Sequence, residues 1–317
     1  RDSGQAMGEA LKKRMEMGFS FLKMDVGITL LRNVPGALSG PQDFIDQLMP
    51  SRRPPEQLTV QDAEMLWEAR RRHYDVNNVM HPFTGIHVTE RGLDYLEQYV
   101  ADVRAVIGYE IPLSTDHFGH IGIEDAIKLA QGLDPFNLAW LEDMVPWMYT
   151  DQYVRLKNSC TTPICTGEDI YLKEGFVPLL EERAVAVIHP DLATSGGILE
   201  TKKIGDMAQE HGVAMAMHMA ASPICALANV HCAAATENFL VLENHSVDDP
   251  GWSELVTGLP TPLIQDGHIA VPETPGLGFA EINEEAMRAR LNPDDPIFFD
   301  EPTDFWDTER SWDRLWS

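Results

Sequence analysis

Three stretches decide the fold: LSTDHFGH at residues 113–120, AWLEDMVPW at residues 139–147 and ICTGEDIY at residues 164–171. Each is a short apolar run that ends in an acid: Asp116, Glu142 and Glu168. Asp116 and Glu142 are 26 residues apart, and so are Glu142 and Glu168. One strand–helix unit of a parallel barrel takes about 30 residues, so each step is one unit. The three carboxylates are therefore expected side by side at the C-terminal mouth of a parallel sheet, where such barrels keep their active sites. Three bare carboxylates repel one another unless a cation sits among them, and oxygen-only donors suit one hard divalent ion, most simply Mg²⁺.

The same alternation continues outward. Strands are predicted at AVAVIHPD (184–191), VAMAMH (213–218) and NFLVLEN (238–244), and earlier at FSFLKMDVG (19–27). Helical runs lie between them, among them IEDAIKLAQGLD (123–134), KEGFVPLLEER (173–183) and ILETKKIGDMAQEHG (198–212). Helices are also predicted over 4–17, stopped by Gly18, and over 88–108, capped by Thr89 and stopped by Gly108. Strand–helix alternation with short connections means α/β with a parallel sheet. The strands are apolar on both faces, as a sheet covered by helices requires. Seven strands can be counted, and a closed (β/α) barrel needs eight. A strand upstream of Arg1 is therefore expected, because an open barrel exposes two edges. The rival, an open doubly wound sheet, lacks its Gly-rich phosphate loop after any early strand.

A second set of strand ends carries further chemistry. Asp191 ends one strand and His218 the next, so the carboxylate is placed to orient the imidazole as a general base. Glu243 comes one unit later; it is either a hydrogen-bonding group for a developing enolate or a plain surface glutamate. Lys23 and Asp25 lie two apart on the first strand and share a face. Lys23 can offset a substrate carboxylate, pair with the metal-binding acids, or do both.

The whole sequence of 317 residues carries a formal charge of −26, which argues against nucleic acid as a partner. No apolar run reaches the roughly 18 residues of a membrane span. The cysteines, Cys160, Cys165, Cys225 and Cys232, form no CxxC, so a reduced, cytoplasmic protein is expected. Between Asp25 and Asp116 the chain carries about 65 residues more than one unit needs, so a long insertion over about 28–88 is expected at the barrel mouth. It holds a predicted helix at 59–75 and the cluster Arg52, Arg53, Arg70, Arg71, Arg72, His73, Tyr74 and His81. That cluster fits recognition of a polyhydroxy carboxylate or an oligomer contact.

An Asp, Glu, Glu set on consecutive strands followed by an Asp–His pair resembles the enolase superfamily, and within it the mandelate racemase/muconate lactonizing enzyme group. The phrases FLKMDVG, WLEDMVP, TGED, HPDLATSGGI and VPETPGLGF carry the likeness. It implies a modified (β/α)7β barrel over residues 1–278, whose first strand and N-terminal α+β capping domain lie outside this chain. Residues 279–317 then form a tail packed on the barrel or that cap. The resemblance also implies one Mg²⁺ on Asp116, Glu142 and Glu168, abstraction of the proton α to a carboxylate, and a homo-oligomer. The lysine pair of the group is Lys23-Met24-Asp25 here, which disfavours a two-base racemase and favours an acid-sugar dehydratase with His218 as its one base. Sugar-acid dehydratases of this group often carry Asp-x-His, with the histidine as general acid. Here the run is Asp116-His117-Phe118-Gly119-His120, so either His117 or His120 takes that role. The expected substrate is a sugar-acid carboxylate and the product a 2-keto-3-deoxy acid. A racemase, epimerase or cycloisomerase is the alternative, and a non-catalytic metal- or sugar-acid-binding relative is the second.

Overall fold

The computed structural model describes residues 3–41, 45, 84–116 and 121–290. The chain opens on α1 (Gly4–Glu16), capped by the Ser3 hydroxyl, and enters β1 (Leu22–Asp25) through Gly18 at φ 90°. A short α2 (Ile28–Leu31) follows. Then β2 (Leu38–Ser39) pairs antiparallel with β3 (His87–Val88). From there α3 (Glu90–Ile107), β4 (Leu113–Asp116), α4 (Ile123–Leu133), β5 (Leu141–Glu142), α5 (Thr150–Lys157) and β6 (Ile164–Thr166) alternate. The alternation continues through α6 (Leu172–Glu181), β7 (Val187–Ile188), α7 (Leu192–Ser195), α8 (Gly197–Glu210), β8 (Ala214–Met217), α9 (Pro223–Ala234) and β9 (Phe239–Leu242). A last short helix, α10, covers Glu284–Arg288.

Among the described residues the sheet has seven parallel strands in the order β1-β4-β5-β6-β7-β8-β9. It is the curled sheet of a (β/α) barrel, with β1 and β9 as its two edges. A cavity of about 340 Å³ lies between those edges, lined by residues of α1, β1 and β9 and by Trp140 and His189. The main core lies between sheet and helices and includes Leu96, Leu129, Tyr153 and Phe176. α1 lies so close on α3 that a Cβ at Gly4 would stand 2.3 Å from the Tyr99 carbonyl oxygen.

The inner face of the sheet positions the site. Trp140, Cys165, Val187 and Ala216 pack there with Phe21 and Val241, residues in or directly before six of the strands. Phe21 stacks on Trp140 with ring centroids 4.7 Å apart. Side chains two apart on a strand share a face. The residues two beyond Phe21, Trp140, Val187, Ala216 and Val241 are Lys23, Glu142, His189, His218 and Glu243. An apolar floor thus supports a layer of titratable groups.

The predicted helix at 59–75 and the basic cluster of the insertion lie outside the described residues. The described ends of the insertion are α2 and the β2–β3 pair, a small sheet that none of the strands predicted from sequence covers. Of the expected tail, residues 279–290 are described; Phe279 packs against a separate apolar cluster of Met219, Leu227, Trp252 and Leu263.

Candidate active site

Lys23 stands at the centre of the layer. Its Nζ lies 2.8 Å from Asp116 Oδ2, 2.9 Å from Glu142 Oε1 and 3.0 Å from Glu243 Oε1. Burial opposes its charge, but Glu142, Asp116 and Glu243 outweigh that and hold the ammonium far above its ordinary range. Glu142 is fully buried and richly bonded: Trp140 Nε1 donates to its Oε2 at 2.7 Å, and His189 Nδ1 and Lys23 meet its Oε1. Burial raises the Glu142 pKa, yet His189 and Lys23 pull it down to about 2, so the carboxylate stays ionised.

Asp116 is fully buried at the end of β4, beside Glu142 and Asp143, whose oxygens lie with theirs within 4.8 Å. Asp143 accepts from Thr166 Oγ1 at 2.5 Å; burial, then Glu142 and Asp116, push its pKa well above the ordinary range. Glu168 is raised by burial and by Asp116 and Glu142, with His218 opposing. The donor set here is oxygen only, buried and rich in negative charge, which fits a hard divalent cation. Among the described residues, Asp116, Glu142 and Asp143 offer oxygens close enough together to share one ion; Glu168, expected in that set, feels the charge of Asp116 and Glu142 but is not part of this tight group.

The second set is also brought together. Asp191 caps α7 by accepting from the Ala193 and Thr194 N–H groups through Oδ1, at 2.8 and 3.1 Å. Its Oδ2 lies 2.6 Å from His218 Nδ1. Burial opposes its charge, but His218 and the cap bonds hold Asp191 below the usual carboxylate range. An ionised carboxylate only accepts, so Nδ1 carries the proton and Nε2 holds the basic lone pair. Burial weakens His218 as a base, but Asp191, Glu243 and Glu168 more than offset this and raise its pKa. His218 Nε2 faces Glu168 Oε2 at 3.1 Å, so the basic nitrogen points at the carboxylate set.

Asp25 sits two residues past Lys23, exposed, on the wall of the same cavity. His117 and His120 lie outside the described residues. Sequence reasoning missed Trp140, Asp143, His189 and His245. His189 is buried and bridges the site: Nδ1 meets Glu142 and Nε2 lies 3.3 Å from Glu243 Oε2. The two-residue alternation along IHPD puts His189 on the face of Asp191, and that signal could have found it. His245 Nε2 lies 2.8 Å from Glu243 Oε1.

Residues 6–286 match the family described as enolase C-terminal domain-like. The chain belongs to that family. It is 37% identical over 216 residues to the D-xylonate dehydratase of Haloferax volcanii, covering 68% of this chain and 52% of that protein. It is 30% identical over 216 residues to the D-galactonate dehydratase of Ralstonia nicotianae, covering 66% of this chain and 56% of that protein. The mandelate racemase/muconate lactonizing enzyme-like protein of Rubrobacter xylanophilus is similar in structure, with a TM-score of 0.72 and 29% identity over 93% of this chain and 63% of that one. The chain spans about half the length of the named dehydratases it matches. No helix among the described residues is long and apolar enough to cross a membrane.

Proposed function

We propose that this chain carries the catalytic residues of a Mg²⁺-dependent sugar-acid dehydratase that turns an aldonate or aldarate into a 2-keto-3-deoxy acid. The observation that carries the reading is His218: Asp191 holds its Nδ1 at 2.6 Å while its Nε2 faces the carboxylate set. The similarity to proteins named D-xylonate and D-galactonate dehydratase supports the substrate class.

Asp116, Glu142 and Glu168 would hold the ion. Bound there, a divalent cation supplies Lewis-acid stabilisation to charge that develops on the substrate carboxylate. His218 removes the α-proton at Nε2, and Asp191 stabilises the imidazolium that forms, through Nδ1–H. Lys23, kept cationic by three carboxylates, offsets the negative charge of the enediolate. Glu243 lies beside both His218 and Lys23; burial opposes its charge, but His245, His189 and Lys23 keep it an ionised carboxylate, so it accepts there and helps hold Lys23. A proton for the departing β-hydroxyl comes from His117 or His120, outside the described residues. Asp25 in place of a second lysine leaves one strong base, which favours loss of water over racemisation. Free thiols at all four cysteines agree with a reducing compartment such as the cytoplasm.

The test is incubation of the protein with Mg²⁺ and a panel of aldonates and aldarates in D₂O, followed by proton NMR. A 2-keto-3-deoxy product is expected. Exchange of the α-proton with composition retained would replace this reading by the racemase or epimerase alternative. Mg²⁺ binding with no turnover across the panel would favour a non-catalytic relative.

A further inference from the structure

The geometry points to a second metal site at the mouth, suited to Zn²⁺ and formed by His218, Glu243 and His245. These three offer ligand atoms that all lie within 4.8 Å of one another. His245 Nε2 is 2.8 Å from Glu243 Oε1, and His218 Nε2 is 3.8 Å from Glu243 Oε2. The two imidazole rings stand 5.6 Å apart, tilted by 56°. Around a tetrahedral ion with bonds of about 2.0–2.1 Å, neighbouring ligand atoms lie about 3.3 Å apart. The two contacts use different oxygens of Glu243 and lie on either side of that value, so a turn of the Glu243 or His245 side chain closes the site on one oxygen.

Donor chemistry separates this trio from the carboxylates behind it. Two imidazoles and one carboxylate select a borderline ion such as Zn²⁺ and discriminate against Mg²⁺, which prefers oxygen. His218 already has what a metal-bound imidazole needs, because Asp191 holds its other ring nitrogen. Glu243 meets Lys23 and His245 through Oε1 and lies near His189 and His218 through Oε2, so either oxygen can turn to the ion. His245 is the outermost member, 44% exposed, and gives an ion and its remaining water ligands access from solvent. On binding, the His245–Glu243 contact is exchanged for bonds to the ion; a neutral His245 ring then carries its proton on Nδ1, and an imidazolium releases one proton to solvent. The site rests on these distances, not on the dehydratase reading. That reading adds only one consequence: Zn²⁺ occupies the lone pair with which His218 takes a proton, so it inhibits.

The test titrates Zn²⁺, by calorimetry, into the full chain held in excess Mg²⁺, then repeats the titration with Co²⁺ and follows its visible absorption. One Zn²⁺ per chain that Mg²⁺ does not displace is expected, with intense four-coordinate Co²⁺ bands. His245→Ala and His245→Gln should each weaken Zn²⁺ by more than the roughly 10–100-fold that a residue merely orienting a ligand costs. Both should also lose the Co²⁺ bands. Mn²⁺ resonance provides the control: Mn²⁺ in the carboxylate set should be displaced by Mg²⁺ and left in place by one equivalent of Zn²⁺. Overturning results are no Zn²⁺ uptake, unchanged affinity in both variants, or Zn²⁺ displacing Mn²⁺ one for one. Absence of Mn²⁺ binding would instead count against the Mg²⁺ reading and leave the Zn²⁺ result to stand on its own.

Discussion

Lys23→Met replaces a buried ammonium by a side chain of similar length and leaves three carboxylates without their shared cation. Its Nζ lies 2.8–3.0 Å from Asp116, Glu142 and Glu243. At an effective dielectric constant near 20, each contact is worth about 6 kcal/mol before desolvation. The loss is capped, because the cluster can take up a proton instead. Forcing a proton onto a carboxylate of ordinary pKa, about 4.3, costs roughly 4 kcal/mol at pH 7 and roughly 1 kcal/mol at pH 5. The sign follows from proton binding. The folded variant then holds one proton more than its unfolded chain above the carboxylate range, so its stability falls as pH rises. Wild-type Glu142, held at about 2, binds no such proton. Urea unfolding followed by circular dichroism from pH 5 to 8 should therefore show a deficit near 4 kcal/mol at pH 7 that shrinks by about 1.4 kcal/mol per pH unit on acidification. Saturating Mg²⁺ should raise the midpoint of the variant more than that of the wild type. A deficit independent of pH, or none, would refute the account of Lys23 as the shared counter-charge.

Three other substitutions probe separate parts of the molecule. Asp191→Asn keeps a good helix cap but turns a donor toward His218 Nδ1, so α-proton exchange should fall by about 10²–10⁴-fold while Mg²⁺ affinity holds; exchange by NMR and calorimetry check both. Arg104, 3% exposed, donates to the carbonyls of Phe136, Gly108, Ile111 and Asn137, so Arg104→Met should cost about 3 kcal/mol or more in chemical unfolding, with unchanged behaviour of His218. Burial opposes the charge of Asp134, but bonds from Thr161 and Thr162 hold its carboxyl below the ordinary range. Its contribution is present above that range and lost as pH falls through it, so Asp134→Asn should be less stable than wild type at pH 7 and converge with it in acid, as thermal melts will read.

Much of this architecture is legible because parallel strands repeat at a fixed interval. The spacing of Asp116, Glu142 and Glu168 predicts neighbouring strand ends, and β4, β5 and β6 do pair in that order. Thr89 caps α3 through the Gly92 N–H at 3.2 Å, and Gly108 ends it at φ 73°, both on local signals. The β2–β3 pair is not legible: each strand has two residues, too few for any period, and its partners lie far apart in sequence. His189 and Asp143 are not legible from strand-end acids, because that pattern names one residue per strand, whereas His189 lies two residues before Asp191 and Asp143 follows Glu142 at φ 49°. The crowding of Glu142 by Lys23, Trp140 and His189 depends on sheet curvature, which no spacing encodes.

The contact between β1 and the end of β9 has a mechanical consequence. β1 and β9 share no backbone ladder in the strand order, yet Lys23 on β1 grips Glu243 just beyond β9 at 3.0 Å. Below it, Arg14 of α1 meets Asp248 beyond β9. Within this chain β1 and the end of β9 are therefore linked by a clasp of charge, where neighbouring strands are sewn by peptide groups. Peptide ladders ignore salt and pH, but a clasp can be undone by anything that competes for its two halves. An anion drawn to Lys23 or a cation drawn to Glu243 therefore competes directly with the contact that links the two strands.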